Sequence, residues 1–299
     1  MVKLATFSYR DEPPRVGVVV QEGLVSIEGD TRTPSSPVQL IQIIRERKNS
    51  LEWIRDKIKG GTRVPLSSVR LLAPIPQPPE FLVVGANYAD HVAEAGLPLP
   101  KEPIFTNKQT SSIVGPYDNV VLPRVSEQLD YEGELGIVVG HAKRNLNRQE
   151  AAAAIFGYVV VNDLSVRDWQ LRSTTHTIGK SFDTHGPFGP WIVTAEQITD
   201  PHNLTITTTV NGQVRQHGST AGMIADCYDI LVLLSRSMTL QPGTVITTGT
   251  PAGVGFFQRP PAWLRVGDEV SVEISSVGRI ANHVVAEPDQ YEPSARVQS

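Results

Sequence analysis

The 299-residue chain contains a single cysteine, Cys227, so it cannot form an internal disulfide, and nothing in it requires an oxidising compartment. Charge of one sign is lacking as well. The 27 Lys plus Arg and 31 Asp plus Glu leave a net charge of −4, which gives no basic footprint for DNA, RNA or an anionic membrane. No stretch approaches the roughly 18 uninterrupted apolar residues of a membrane-spanning helix. The N-terminus, MVKLATFSYRDEPPR, lacks the apolar stretch of a signal peptide, so a cytoplasmic location is expected. There is no Gly-Lys-Ser/Thr phosphate loop, no dinucleotide fingerprint and no His or Cys pattern with zinc spacing. A chain of this length buries roughly three quarters of its unfolded surface. Folding therefore needs no metal, and a metal site here would serve function.

What is present divides near residue 72. KLATFSY and RVGVVVQEGLVSIEG alternate as strands do, with a turn at Gly23. In VQLIQIIRERKNSLEWIRDKIKGG, the residues Leu40, Ile43, Ile44, Leu51, Ile54 and Ile58 recur at helical spacing until Gly60 and Gly61 end the pattern. Residues 1–72 thus read as a small α+β domain. The proline-rich LLAPIPQPPE cannot pair regularly in a sheet and reads as a linker. From 73 to 286 the pattern is of short strands: FLVVGA, NVVLP, GELGIVVG, GYVVVND, GPWIVTA, LTITTTVNG, TVITTG and DEVSVEISS. QEAAAAIFG and AGMIADCYDILVLLSRSM are the covering helices. The tail over 287–299 has no apolar periodicity and is expected to be disordered.

The stretch LDYEGELGIVVG is apolar at Leu129, Leu135, Ile137, Val138 and Val139, yet Asp130, Glu132 and Glu134 fall on one strand face. Taken alone, such acids more often mark a solvated face. The next apolar run, GYVVVNDLSVRD, places Asp163 where a strand gives way to a loop. Three carboxylates gathered there raise one another's pKa unless a cation neutralises them, and a hard divalent ion such as Mg²⁺ suits an all-oxygen set. Asp130 is a candidate fourth acid, but the preferred assignment puts it behind the ligands or facing solvent.

Three further patterns carry polar groups. In GANYADHVAEAG, Asn87 and Asp90 suggest a capping box and Gly96 a helix end, while His91 and Glu94, three apart, share a face where the acid can orient the imidazole. His141, His176, His185, His202, His217 and His283 have no comparable partner spacing. In GKSFDTHGPFGPWIVT, Phe182 can hold Lys180 inward toward an anion. VITTGTPAGVG offers a Gly- and Thr-rich turn that can bind a carboxylate.

Taken in order, GANYADHVAEAG, YEGELGIVVG, VVNDLSVRDWQ, GKSFDTHGPFGPWIVT, TVNGQVRQ and ITTGTPAGVG resemble the fumarylacetoacetate hydrolase family over about residues 72 to 285. The resemblance implies an α+β fold with a β-rich, mixed-sheet catalytic domain, a homodimer and a bound Mg²⁺ or Mn²⁺. It implies metal ligation by Glu132, Glu134 and Asp163. It makes His91 and Glu94 a water-activating dyad on a lid, Lys180 an electrostatic partner, and Arg167, Gln170 and Thr250 contacts to the substrate's carboxylate or keto oxygens. The expected partner is a small 2-oxo acid, and the preferred reaction is hydrolytic C–C cleavage of an acylpyruvate or related β-diketo acid. Tautomerisation or isomerisation, including that of oxaloacetate, and oxaloacetate decarboxylation share the same enolate chemistry and stay open. A binding protein that kept the fold is the reading from another class. Residues 171–179 lack the tryptophan that many relatives carry before this lysine, His185 replaces a frequent aromatic, and Gln109 follows Lys108 where proline is frequent.

Overall fold

Alternation at the N-terminus produces the expected strands: β1 (Lys3–Tyr9), β2 (Arg15–Val20) and β3 (Gly23–Ser26) pair antiparallel in that order. At Gly23 the backbone is left-handed, φ +149°, and an added Cβ would lie 2.4 Å from the Val64 carbonyl oxygen. The computed structural model describes residues 2–9, 12–21, 23–27, 41 and 50–289. Of the helix expected after residue 38, the described portion is Ile41 and α1 (Ser50–Gly60). Ile54 is buried against Val16, Val18 and Ile27, the helix-on-sheet packing that the periodicity predicts, and Ile41, outside the periodic set, joins the same cluster. Strands β4 (Arg63–Val64) and β5 (Val69–Leu72) follow.

The remainder contains β6 (Phe81–Gly85), α2 (Ala89–Glu94), β7 (Ile104–Asn107), β8 (Ile113–Val114), β9 (Val120–Leu122), β10 (Leu129–Asp130) and β11 (Gly133–Val139). Next come α3 (Arg148–Ala154), β12 (Ile155–Asn162), β13 (Ser165–Val166), α4 (Arg167–Gln170), α5 (Thr177–Lys180) and β14 (Gly186–Thr194). The chain continues through β15 (Thr205–Val210), β16 (Gln213–Ser219), α6 (Cys227–Ser237), β17 (Val245–Thr247), β18 (Glu269–Ile274) and β19 (Gly278–Ala286). One mixed sheet runs β4-β3-β2-β1-β14-β12-β11-β17-β6-β7, and a second runs β16-β15-β18-β19-β9. The fold is α+β. Both sides of residue 72 share the first sheet, because β1 pairs with β14 through Lys3↔Val193 and Leu4↔Ile192. Beyond residue 289, the tail expected to be disordered lies outside the described residues.

At the centre, β11 and β12 are buried along their whole lengths, as strands covered on both faces must be. One face carries a cluster that includes Ile137, Val160, Ile206, Leu231 and Ile280, and the other joins Val138, Val159 and Val161 to the N-terminal residues. Gly133 admits the second sheet, since a Cβ there would meet Thr208 Oγ1 at 2.2 Å. Helix α6 begins later than its sequence pattern suggests. The Asp226 side chain accepts from the Tyr228 and Asp229 amides at 2.9 and 3.0 Å, and this capping fixes the start at Cys227.

Candidate active site

The acidic stretch that reads as one strand is broken at Tyr131–Glu132, between β10 and β11. The break aims the carboxylates. Glu132 N donates to Asn162 Oδ1 at 3.1 Å and Glu132 O accepts from Asp163 N at 2.8 Å, so Glu132 sits beside the end of β12. Glu134 pairs with Val161 one step along the ladder and keeps its side chain on the same face. Ligand oxygens of Glu132, Glu134 and Asp163 lie within 4.8 Å of one another, and all three residues are buried. Such an all-carboxylate set with no nitrogen or sulfur donor fits a hard divalent cation.

Cations surround the acids. The Lys180 ammonium contacts both Glu132 Oε2 and Asp163 Oδ2. Arg167 Nη1 is 2.7 Å from Glu132 Oε1. Lys108, fully buried, donates to Asp163 Oδ1 at 2.7 Å and to the Leu164 carbonyl at 3.0 Å. Burial alone raises the pKa of Glu132, but the charges of Arg167 and Lys180 outweigh it and hold the group well below the usual carboxylate range. Glu134 goes the other way, raised by burial and then by the charges of Asp163 and Glu132. Burial depresses Lys180, yet Asp163 and Glu132 more than reverse this and push it up. For Lys108 burial prevails over Asp163, and its pKa falls. The donor set accordingly has room for more positive charge beside Glu134, as a cation-binding group should.

Asp130 is neither solvent-facing nor part of this triad. It is fully buried and accepts from Arg167 Nε at 2.8 Å, Gly255 N at 2.7 Å and Phe256 N at 3.0 Å. Its role is to anchor the guanidinium and the turn after β17 together. Gln170 Oε1 accepts from Arg167 Nη1 at 3.0 Å. The Thr250 hydroxyl is buried, donating to Gly133 O at 3.0 Å and accepting from Gln216 Nε2 at 2.7 Å. These bonds give Thr250 a place in the wall behind Glu132 and Glu134.

The short helix predicted around His91 is α2, with Gly96 in the left-handed region at its end, φ +67°. Its start differs from expectation, because Asn87 does not cap it. Asn87 turns inward instead, donating to the carbonyls of Ala225 and Thr248 at 2.9 and 2.8 Å and accepting from Ala225 N at 2.8 Å. His91 Nδ1 lies 3.4 Å from Glu94 Oε2, and both Glu94 oxygens accept from Gly253 N at 3.0 and 3.1 Å. Gly249, at φ +88°, donates its amide to Glu134 Oε2 at 2.8 Å. A Cβ at this glycine would meet Asn87 Cβ at 2.9 Å, so the Gly-Thr-rich turn and the base of α2 are fitted to each other.

The structure thus brings Glu132, Glu134, Asp163, Lys180 and Arg167 into one group, ties Gln170 to Arg167, and sets His91 and Glu94 side by side on α2. The roles of Lys108 and Gln216 are not visible in the sequence. Each is a single polar residue that local periodicity leaves unmarked, and only the chain's crossings show what it touches.

Comparison with known proteins accords with this geometry. A sequence profile described as fumarylacetoacetate (FAA) hydrolase C-terminal matches residues 80–285. An oxaloacetate tautomerase of Xenopus laevis, named as mitochondrial, is 38% identical over 288 residues, covering 95% of this chain and 90% of its own. A fumarylacetoacetate hydrolase structure from Exiguobacterium antarcticum superposes with TM-score 0.83 at 38% identity, covering 96% of this chain and all of that one. A maleylpyruvate hydrolase of Sphingobium, solved with manganese(II) and pyruvate, gives TM-score 0.78 at 30% identity over 96% of this chain and all of its own. With its acidic group, its fold and its sequence in agreement over more than 200 residues, the chain belongs to the fumarylacetoacetate hydrolase family of enzymes.

Proposed function

We propose that this protein is a divalent-cation-dependent tautomerase of a short 2-oxo diacid of the oxaloacetate class. The observation that carries the reading is the buried triad Glu132, Glu134 and Asp163 in its ring of cations. With Asp130 included, four carboxylates face Lys108, Arg167 and Lys180, leaving one negative charge in excess when all are ionised. A divalent ion would turn this into one positive charge, which favours an anionic substrate over a neutral one. The name of the Xenopus relative supports the same class of reaction.

A Mg²⁺ or Mn²⁺ ion held by the triad would supply the positive charge that stabilises a developing enolate on a 2-oxo acid. The chain's own residues do the rest. Lys180, within the same group, offers an ammonium to the oxygen that gains charge. His91 takes the proton from the carbon next to the keto group and hands it to the enolate oxygen to complete the enol, the reverse path restoring the keto form, with Glu94 orienting the ring. Gly253 holds Glu94 in place through its amide. Arg167, kept straight by Asp130, faces the substrate's carboxylate.

A second reading, hydrolytic C–C cleavage of an acylpyruvate, is favoured by the presence of both His91 and Glu94, since that reaction needs a water deprotonated next to the substrate. It is the reaction that the sequence alone favours. It ranks second because a human oxaloacetate tautomerase is 42% identical over 91% of this chain, above the 38% of the Exiguobacterium hydrolase and the 30% of the maleylpyruvate hydrolase. A homodimer and a cytoplasmic location complete the proposal, to be checked by sedimentation and by fractionation. Among the described residues no helix is long and apolar enough to cross a membrane.

Three assays with Mg²⁺ or Mn²⁺ separate the reactions. Loss of enol-oxaloacetate absorbance above the rate with metal alone reads tautomerisation, pyruvate release from oxaloacetate reads decarboxylation, and NMR of acetylpyruvate and maleylpyruvate reads hydrolysis. Cleavage of the latter two without acceleration of the first would replace the tautomerase reading with the hydrolase one.

A further inference from the structure

Each carboxylate of the triad has one oxygen taken by a donor that the fold holds still. Glu134 Oε2 accepts from the Gly249 amide at 2.8 Å, and Glu132 Oε1 lies 2.7 Å from Arg167 Nη1, whose Nε is fixed on Asp130 at 2.8 Å. Asp163 Oδ1 accepts from the Lys108 ammonium at 2.7 Å. The other oxygens of Glu132 and Asp163 converge, since the Lys180 ammonium touches both Glu132 Oε2 and Asp163 Oδ2. Asp163 therefore turns Oδ2 toward the triad and Oδ1 toward Lys108.

The Lys108 side chain is fully buried, and its ammonium donates twice, to Asp163 Oδ1 and, at 3.0 Å, to the carbonyl of Leu164. One ammonium thus ties the Asp163 carboxylate to the backbone of the next residue. That backbone is itself fixed, with Leu164 N donating to Asn162 O at 2.9 Å and Ser165 Oγ to Asp163 O at 3.0 Å. The lysine is anchored as well. Lys108 N donates to Phe81 O at 2.9 Å, and the next amide, Gln109 N, donates to Ser181 Oγ at 3.1 Å. Rotating Asp163 to offer both oxygens to one cation would break its bond to Lys108 and strip a buried ammonium of its carboxylate, which is strongly unfavourable.

Resting on the divalent-cation reading above, we propose that Lys108 is a positioning residue that limits Asp163 to one ligand oxygen and so tunes the site to a small cation, Mg²⁺ or Mn²⁺, over Ca²⁺. Ca²⁺ takes roughly six to eight oxygens and readily uses both oxygens of one carboxylate, whereas Mg²⁺ demands a compact octahedron and keeps several waters. Three carboxylates that each offer one oxygen suit the smaller ion. Lys108 acts on the ion through Asp163 and has no need to touch ion or substrate.

The test titrates Mg²⁺ and Ca²⁺ calorimetrically into the wild type and into Lys108→Met, Lys108→Arg and Lys180→Met, and reads the ratio of the two dissociation constants. Removing a positive charge strengthens both divalent ions alike, so the ratio cancels that effect. The wild type should bind Mg²⁺ the more tightly. In Lys108→Met, Asp163 Oδ1 is uncovered and the ratio should move toward Ca²⁺ by about tenfold. Lys108→Arg, which keeps a donor for Oδ1, should stay within about threefold of the wild-type ratio, and so should Lys180→Met, which removes a charge from the same group and leaves Oδ1 covered. A wild type that holds Ca²⁺ as tightly as Mg²⁺, an unchanged ratio in Lys108→Met, or an equal shift in Lys180→Met would overturn the assignment, and the first of these is read whether or not Lys108→Met folds. A wild type that binds neither ion would sink the cation-binding triad itself, while failure of the tautomerase assays leaves these ratios untouched.

Discussion

His91 and His185 show how placement gives two histidines opposite tasks. His91 lies on α2 with Glu94 3.4 Å from its Nδ1, the pairing on which the proposed proton transfer rests. His91→Ala should lower the catalysed rate by about 10²- to 10⁴-fold while Mn²⁺ binding, measured by calorimetry, stays as in the wild type. A variant with full activity would exclude the dyad. His185 is fully buried, stacked on Phe182, with Nε2 2.7 Å from the Val121 carbonyl. Burial pushes its pKa down to about 3, so the ring is neutral in the fold and Nε2 carries the donated proton. Since the unfolded chain binds a proton near pH 6.5 and the fold resists it to about 3, stability falls as pH drops through that window. Between pH 7 and pH 5 this one group should remove roughly 2 kcal/mol, read from urea unfolding curves. His185→Phe should flatten that slope, and an unchanged slope would refute the assignment.

Helix α2 is too short to hold itself, and its position comes from tertiary bonds at both ends. Asn87 clamps the entry through three bonds to Ala225 and Thr248, and Glu94 ties the exit to Gly253. Replacing Asn87 with Ala leaves two carbonyls and one amide unpaired in a buried setting, a cost of about 3 kcal/mol in chemical denaturation. Activity of Asn87→Ala should drop with little change in metal affinity, because the loss frees the helix that carries His91 and leaves the triad alone. At this scale much was legible. The strands FLVVG, GELGIVV, TITTTV and EVSVEI were visible as apolar alternation or runs. The polar QVRQHGS of β16 was not, because an edge strand half in solvent carries little periodicity.

For the molecule as a whole, a cation bound only by the folded state adds stability by mass action. At a free Mn²⁺ concentration about 100 times its Kd the gain is roughly 2.7 kcal/mol. The melting temperature should therefore rise by several degrees on adding Mn²⁺ and return on adding EDTA. The double variant Glu132→Ala, Glu134→Ala should show no such rise, and an equal rise would disprove ligation by the triad. The triad sits at the start of β11 and just past the end of β12, central strands of the first sheet, and a Cβ at Gly133 would run into Thr208 of the second.

Local sequence determined the elements and the chemical kind of the site. Alternating apolar residues specify strands, and three acids set among apolar flanks call for a cation because like charges cannot be buried together unaided. The order of the motifs was enough to point to the family. Tertiary structure alone decided which acid does what. Asp130 and Glu132 are two residues apart and both touch Arg167, yet the break at Tyr131–Glu132 sends one to the turn amides and the other to the triad. It also decided that Lys108, from the far end of β7, reaches Asp163, and that Asn87 clamps rather than caps. These contacts join residues 55 to 161 positions apart. No window of sequence contains both partners, so only the folded chain can specify them.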